Sequence, residues 1–397
     1  MLTEKEYLAQ WIGVYVPRDL SICLNAQELA REPYPVEYVC RLMHGASRDT
    51  RLAVLRPTRW GAWLRGISTV SHQALQLTLE AAGNEIITTE YSLLGAINFW
   101  PISWLNAVVS RIPVLRKLCH YELFIARPKN LKNDAGVEQP SVSIIMPCKN
   151  EAGTVEEAIR RLPLLGVFTE IICVEGHSQD ATLQELLRVR DLISHARIEV
   201  MEQSGKGKKN AVVEGCARAR GDILMVFDSD MTVTPEDMKT FYDLLVAGNA
   251  DLINGSRLLF TLEKGAMRWP NFIANHLFAW VISYSGILGQ KISDTLCGTK
   301  VCWRRDYERS RVEHAWLWSL DPFGDFSWLF GIAMLGGKIQ DLPVRYYART
   351  YGRPLQGSFR YGLKLAAILW NIGLVRIIRN NVGLLDNSRQ TKQLKLP

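Results

Sequence analysis

The stretch Gly221-Asp222-Ile223-Leu224-Met225-Val226-Phe227-Asp228-Ser229-Asp230-Met231 decides how this chain is read. Ile223 to Phe227 is an unbroken apolar run of strand length, rich in branched and aromatic side chains, which marks a buried strand. It ends in two carboxylates spaced i, i+2. Where the strand frays, Asp228 and Asp230 can both turn toward one hard cation, and a divalent ion with open positions then holds phosphate oxygens, as of a nucleotide diphosphate. The plainer alternative is a turn before Thr232-Val233-Thr234-Pro235, with Thr234 or Asp237 capping the next helix. On this stretch alone both stay open.

Working outward, the same punctuation recurs. Ser141 to Glu151 is a strand that runs into a polar turn, and a helix starts at Thr154-Val155-Glu156-Glu157 with Thr154 as cap and Glu157 three residues on. Glu170 to Glu175 is a second strand, followed by the turn Gly176-His177-Ser178-Gln179-Asp180 and another helix. Arg197 to Val200 is a third strand, Lys208 to Ala219 a helix, and Asp251 to Arg257 a strand beyond the acidic one. Strands alternating with helices at this spacing predict an α/β fold. Its mostly parallel sheet is flanked by helices and binds ligands beyond the carboxyl ends of the strands.

Four segments in order carry a resemblance: Ser143 to Glu151, Val174 to Thr182, Gly205-Lys206-Gly207-Lys208, and Gly221-Asp222 leading to Asp228-Ser229-Asp230. Together they resemble the successive signatures of family 2 glycosyltransferases over residues 141–355. The resemblance implies a GT-A-type fold, a nucleotide-sugar donor and Mn²⁺ or Mg²⁺ on Asp228 and Asp230. It further implies that Pro147, Asn150 and Glu151 lie around the nucleotide and that Glu175 stands where the family usually has an Asp at the base or ribose. The usual Asp-Asp-Gly-Ser is here Glu175-Gly176-His177-Ser178. Ser178 and Asp180 fall in the same loop, where Asp180 serves either the nucleotide or, as a cap, the next helix. Lys206 and Lys208 meet the diphosphate as point charges or are solvated.

On the acceptor side the resemblance implies roles for Arg257, for Asp294 and Lys300 in Ile292 to Lys300, and for Asp325 near the start of a later helix. The segment around Asp294 resembles that of relatives acting on polyprenyl phosphates. Asp325 is the expected base or acceptor-orienting group and Asp294 the second choice; a helix cap is the alternative for Asp325. Arg349 and Arg345, in Pro343 to Gly352, are expected at the donor–acceptor phosphates, which guanidinium geometry suits. The expected reaction is an inverting sugar transfer to a lipid phosphate. Transfer to a saccharide hydroxyl and an inactive nucleotide-binding scaffold are the alternatives.

Residues 1–128 form a smaller α/β accessory unit. Arg51 to Pro57 reads as a strand, Ser71 to Ala82 as a helix ending at Gly83, and Glu85 to Tyr91 as a strand. This succession, with Arg116 to Cys119 and Phe124 to Pro128, resembles the C-terminal half of class I methyltransferase domains. No Gly-rich turn follows a first strand, so a catalytic role is not expected. Residues 129–140 read as a linker, and 356–397 as a C-terminal segment whose helix, Leu363 to Ile378, has an apolar centre with Trp370 between basic ends, suited either to an anionic membrane surface or to packing against the first unit or a second chain.

The chain has 397 residues and a formal charge of +7, an excess that suits acidic partners such as nucleotide sugars or anionic headgroups without requiring nucleic acid. Eight scattered cysteines without a CxxC pair read as reduced core thiols. With no secretory pattern at the start, a cytoplasmic chain is expected, peripheral on the cytoplasmic face of the membrane. Tyr91 to Ser110 and Asn271 to Gln290 approach spanning length without charge, but their Asn, Ser, Pro and Gly content predicts packing on protein or at an interface.

Overall fold

The computed structural model describes residues 21–25, 35–43, 50–58, 71–92, 109–110, 115–129, 139–194, 196–259, 267, 269–284, 288, 290–321, 323–351, 366–367 and 369. Most of the helix expected over Leu363 to Ile378, most of Tyr91 to Ser110 and most of the linker lie outside these residues.

The first elements are β1 (Ser21–Asn25), α1 (Pro35–Leu42), β2 (Arg51–Pro57), α2 (His72–Ala81), β3 (Asn84–Ser92) and β4 (Tyr121–Pro128). They make a four-stranded sheet in the order β1-β2-β4-β3. Only the β1–β2 pair is parallel, and β4 runs antiparallel to both β2 and β3. Ser71 caps α2 by accepting from the Ala74 amide, and Gly83 ends it at φ +77°. Leu75 and Leu79, one turn apart, bury that helix on Val54 and Phe124.

The larger sheet begins with β5 (Val142–Cys148), α3 (Val155–Arg161), β6 (Thr169–Glu175), α4 (Thr182–Leu192), β7 (Arg197–Glu202), α5 (Lys208–Arg218) and β8 (Ile223–Val226). It continues through α6 (Asp237–Val246), β9 (Leu252–Ser256), α7 (Trp269–Tyr284), β10 (Lys300–Trp303), α8 (Arg304–Glu313), α9 (Ala315–Leu320), α10 (Asp325–Met334) and β11 (Ile339–Pro343). Its seven strands lie in the order β11-β9-β10-β8-β5-β6-β7. All run parallel except β10, which is antiparallel to both neighbours. The expected α/β architecture, a mostly parallel sheet flanked by helices, is the one observed.

The central strands read as continuous apolar runs because both of their faces are covered. Ile144, Ile223, Met225 and Phe227 pack with α3, α4 and α6, through Ile159, Leu186 and Phe241. Their neighbours Ile145, Leu224 and Val226 pack on the other face with Val212 of α5, Ile282 of α7 and Phe326 of α10. Period-two alternation thus splits one run between two cores.

Thr154 occupies the cap position of α3, but no side-chain cap bond forms. Its hydroxyl donates to the Glu151 carbonyl and to Glu151 Oε2, while Glu157 pairs with Arg161 four residues on. The expected capping box is therefore absent; Thr154 braces the preceding loop. Cys119, Cys148, Cys173, Cys216, Cys297 and Cys302 are free and buried, and Cys40 is free and exposed.

The two sheets meet through a buried ionic cluster at the amino end of β9. Asp251 accepts from Arg51 at 3.2 Å and from Arg127 at 2.8 Å, and Arg127 also donates to Glu85 and to the Gly248 carbonyl. Lys338, just before β11, closes the cluster on Glu85. This junction lies at the end of the large sheet opposite the carboxyl edge.

Candidate active site

The last backbone bond holding the acidic strand to the sheet runs from the Phe227 amide to the Ile145 carbonyl, 3.0 Å. Beyond it the chain frays, and Met231 at φ +57° turns it away. Asp230 Oδ1 accepts from the Thr232 amide and hydroxyl at 3.1 and 2.7 Å, so a local turn fixes this carboxylate. Its other oxygen accepts from Arg349, whose second guanidinium nitrogen reaches Glu151 at 3.2 Å.

Asp228 faces Lys208, the first residue of α5, with Nζ at 2.6 and 2.8 Å from its two oxygens. Burial works against the carboxylate, but the charges of Lys208, Arg349 and Arg257 outweigh it and hold the Asp228 carboxyl below its ordinary range. Burial likewise opposes the Lys208 ammonium, and Asp228, Asp325 and Asp230 together hold its proton more tightly than usual. Lys206, two residues earlier, is exposed. The Gly-bounded loop thus sorts its two lysines, one into the site and one to solvent.

The reversal of β10 brings in the next group. Because β10 is antiparallel to β8, its first residue, Lys300, stands opposite Val226 at the last step before the acidic tip. Lys300 is 1% exposed, donates to the Cys297 carbonyl and lies 3.6 Å from Asp325. Asp325 is the first residue of α10 and the cap is Gly324, in the left-handed region, so the cap alternative for Asp325 is not what forms. Burial raises the Asp325 carboxyl, opposed by Lys300 and Lys208. Lys208, Lys300 and Asp325 line one recess with Gly298, Trp318 and Trp328.

Arg257 follows β9 and forms a two-pronged pair with Asp294 at 2.7 and 3.0 Å, its guanidinium also standing 5.1 Å from the Tyr346 ring centre. Asp294 is fully buried; burial is outweighed by Arg257, which holds its carboxyl low. Both Asp294 oxygens are thus committed to Arg257, and the side chain orients that arginine. Arg345 is exposed, and its charge is felt at Asp237.

The loop after β5 is tied to the loop after β6. The Asn150 amide donates to Ser178 Oγ at 3.0 Å, the Gln179 amide to Asn150 Oδ1 at 2.8 Å, and the Glu151 amide to Thr182 Oγ1 at 2.9 Å. Asp180 accepts from the Thr182 amide at 3.0 Å, the Ala152 amide at 3.3 Å and the Tyr351 hydroxyl at 3.1 Å. Asp180 precedes the cap residue of α4, Ala181, so it is not the cap itself; its carboxylate ties the first turn of that helix to the neighbouring loop. Glu175 spends its oxygens on the amides of His177 and Ser178, at 3.0 and 2.6 Å. Pro147 accepts from Ser229 Oγ at 3.2 Å, joining the same loop to the acidic tip. Glu151, desolvated by burial and only partly relieved by Arg349, is raised to about 7.

Two residues passed over in the sequence belong to this arrangement. A Cβ on Gly298 would lie 2.2 Å from Asp228 Oδ2 and 2.3 Å from Lys208 Nζ, so only glycine lets that ion pair form. The signal was a glycine two residues before Lys300, at the mouth of a strand. Tyr351 lies over Gly153, where a Cβ would meet its ring at 2.5 Å. Among the described residues, three potential metal ligands lie within 4.8 Å of one another at Glu175, His177 and Glu202, a group that does not include the Asp pair.

A mostly parallel α/β sheet whose carboxyl edge carries paired carboxylates braced by lysine and arginine defines the class of this domain. Residues 143–310 match the family described as glycosyl transferase family 2. Over 134 residues it is 32% identical to a dolichol-phosphate mannosyltransferase of Pyrococcus furiosus, covering 32% of this chain and 36% of the relative. Over 176 residues it is 25% identical to an undecaprenyl-phosphate 4-deoxy-4-formamido-L-arabinose transferase of Pseudomonas aeruginosa, covering 43% of this chain and 48% of the relative. The chain thus spans between a third and a half of these curated relatives. A crystal structure of glucosyl-3-phosphoglycerate synthase from Mycobacterium tuberculosis with Mn²⁺, UDP-glucose and phosphoglyceric acid superposes with a TM-score of 0.43 at 20% identity, covering 60% of this chain and 80% of that one.

Proposed function

We propose that this chain is a metal-dependent, inverting glycosyltransferase that moves a sugar from a nucleotide-diphosphate donor to a polyprenyl phosphate or similar lipid-linked acceptor. The observation that carries the reading is the tip of β8, where Asp228 and Asp230 stand at an open strand end, each braced by a cation, Lys208 or Arg349. Two hard carboxylates at this spacing fit Mg²⁺ or Mn²⁺. When bound there, the ion supplies Lewis-acid stabilisation of charge on the departing nucleotide.

The side chains do the rest. As donor enters, Lys208 and Arg349 exchange their carboxylates for diphosphate oxygens, the arginine through its planar fork. Asn150, Glu151, Ser178 and Asp180 keep the two nucleotide-side loops together. Arg257, aimed by Asp294, and Lys300, aimed by Asp325, offer two cations to an acceptor phosphate. An oxygen of the acceptor attacks the anomeric carbon opposite the diphosphate, the bond to the diphosphate oxygen breaks, and nucleotide diphosphate leaves. A phosphate nucleophile is already anionic and needs orientation more than deprotonation. The dolichol-phosphate and undecaprenyl-phosphate relatives support this acceptor class.

A saccharide hydroxyl acceptor is the second reading, favoured by the raised carboxyl of Asp325, a stronger base than an ordinary aspartate. Asp325→Asn separates the two: transfer slows roughly 10²–10⁴-fold if the acceptor is a hydroxyl, and far less if it is a phosphate. Residues 141–355 form the transferase domain in this reading, and 1–128 an accessory unit that meets it at the Asp251 cluster, away from the chemistry. Its methyltransferase resemblance is one of sequence pattern and assigns it no reaction. In this reading the protein works at the cytoplasmic face of a membrane.

The test is nucleotide diphosphate release from a panel of nucleotide sugars with Mn²⁺ or Mg²⁺, with and without polyprenyl phosphate. Release that requires both metal and lipid phosphate is expected. Metal-dependent donor binding with no release under any condition overturns the enzyme reading in favour of a scaffold.

A further inference from the structure

Asp294 aims Arg257, yet the chain that carries Asp294 belongs to no helix or strand over residues 290–299. A segment without ladder bonds is fixed by whatever side chains reach it. Here they come from β11 and the turn before it. Gln290 Nε2 donates to the Gly337 carbonyl and Gln290 Oε1 accepts from the Ile339 amide, both at 2.8 Å. Further on, Asp341 Oδ2 accepts from the Ser293 amide, and Asp341 Oδ1 accepts from Asn254 Nδ2 at 2.7 Å. Asn254 Nδ2 also donates to the Asp294 carbonyl at 2.8 Å. The backbone is thus gripped on both sides of Asp294, at the amide of the residue before it and at its own carbonyl.

The residue types at this grip are those the bonding requires. Both groups facing Asp341 are donors. A carboxylate meets each with an acceptor, whereas an asparagine would set its own NH₂ against one of them. Asn254, fully buried and paired with Asp341 in the β9–β11 register, is the reverse case. Its NH₂ has one hydrogen for each of two acceptors; turned over, its Oδ1 would face a carboxylate and a carbonyl. Burial raises the Asp341 carboxyl, and the bonds from Asn254 and Ser293 work against that rise. An inward-turned charge on an edge strand such as β11 commonly serves only to discourage further strand pairing. That account does not require both oxygens to be committed to the segment that carries Asp294.

We infer that Asp341 is a positioning residue for acceptor binding: through Ser293 and Asn254 it fixes the backbone of Asp294, and so the carboxylate that aims Arg257 at an acceptor phosphate. β11 is a firm base for that task. Just before it, the Lys338 amide donates to Asp251 at 2.7 Å and the Lys338 ammonium pairs with Glu85 of the smaller sheet. Just after it, Tyr346 brings its ring to 5.1 Å from the Arg257 guanidinium. The Asp294 side chain, so held, accepts from the Arg257 amide at 3.1 Å and the Leu296 amide at 3.0 Å as well as from the guanidinium. The inference rests on the proposed acceptor role of Arg257, and one arm of its test needs no substrate.

The variant is Asp341→Asn in the full chain; Asp341→Ser, which keeps one acceptor, serves should the first fail to fold. With polyprenyl phosphate as acceptor, its KM is expected to rise roughly tenfold, the scale of one charge-assisted hydrogen bond misaligned. Donor KM and metal-dependent nucleotide affinity are expected to stay within about twofold, because those groups lie on other loops. Merely losing folded protein lowers kcat and leaves KM alone, so a fall in kcat without the KM rise overturns the inference. In an Arg257→Ala background the same substitution should change the acceptor KM by less than about twofold; a full, additive effect there shows that Asp341 does not act through Arg257 and overturns it. The substrate-free arm follows solvent exchange of the Arg257 Nε–H proton by NMR, assigned by its loss in Arg257→Lys. Exchange is expected to be roughly tenfold faster in Asp341→Asn, and an unchanged rate in a folded variant overturns the inference. If wild type releases no nucleotide diphosphate with any donor, the transferase reading fails. The exchange rate then still decides whether Asp341 holds Arg257 in place.

Discussion

Gly298→Ala tests whether the Asp228–Lys208 pair is at the centre of the chemistry. The new methyl would lie 2.2 Å from Asp228 Oδ2 and 2.3 Å from Lys208 Nζ. A carbon–oxygen contact relaxes near 3.3 Å, so the carboxylate must retreat by roughly 1 Å. The lysine is long and can swing aside, whereas Asp228 sits at the end of a strand anchored through Phe227. The strain on the fold stays within the roughly 1–3 kcal/mol of ordinary overpacking. A 1 Å error in a group that positions the reacting diphosphate costs about 10²-fold in rate, equivalent to about 2.7 kcal/mol of barrier. The assay is metal-dependent transfer at saturating donor, with nucleotide affinity by calorimetry and unfolding by denaturant measured on the same protein. Transfer within threefold of wild type by a folded Gly298→Ala protein would refute the placement of Asp228 at the diphosphate.

Three further outcomes are expected. Asp230→Ala removes one carboxylate and the partner of Arg349, and should abolish metal-dependent nucleotide binding with the fold intact; unchanged affinity in calorimetry counts against a metal at this site. Glu151 is raised by burial from 4.5 to about 7, so the folded state holds its proton more tightly than the unfolded chain. Its contribution to stability is therefore full below about pH 4.5 and is lost as pH rises to about 7, and Glu151→Gln should flatten that slope in denaturant titrations; an unaltered slope sinks the assignment. Asp251→Ala leaves Arg51 and Arg127 buried without their shared carboxylate and should cost about 3–5 kcal/mol of stability in urea unfolding. A loss below about 1 kcal/mol would show that the junction of the two sheets is not ionic in origin.

Most of the larger sheet is legible in the sequence because its information is local. A strand covered on both faces needs an apolar run, as in Ile223 to Phe227, and its exit from the sheet needs polar turn residues, as in Asp228 to Thr232. The Thr154 capping box misled, because the hydroxyl is turned back to donate to the Glu151 carbonyl instead of accepting from the amides of the first turn, an orientation set only once the loop had folded. Gly298 was passed over because a glycine announces a turn but not what stands across from it.

What the sequence by itself determined is the alternation of β5 to β9 with the helices between them and the polar chemistry at their tips, since these follow from periodicities within a few residues. Tertiary structure alone decided the pairings. Lys208 meets Asp228 20 residues on, Arg349 returns to Asp230 across 119, and Asp251 gathers arginines from a different sheet. Lys300 reaches the acidic tip because β10 runs against its neighbours, a direction set by how the sheet closes rather than by Lys-Val-Cys-Trp itself. The physical reason is range: a side chain's face is set by its neighbours in the chain, whereas the carboxylate a cation finds depends on which strands the sheet sets side by side.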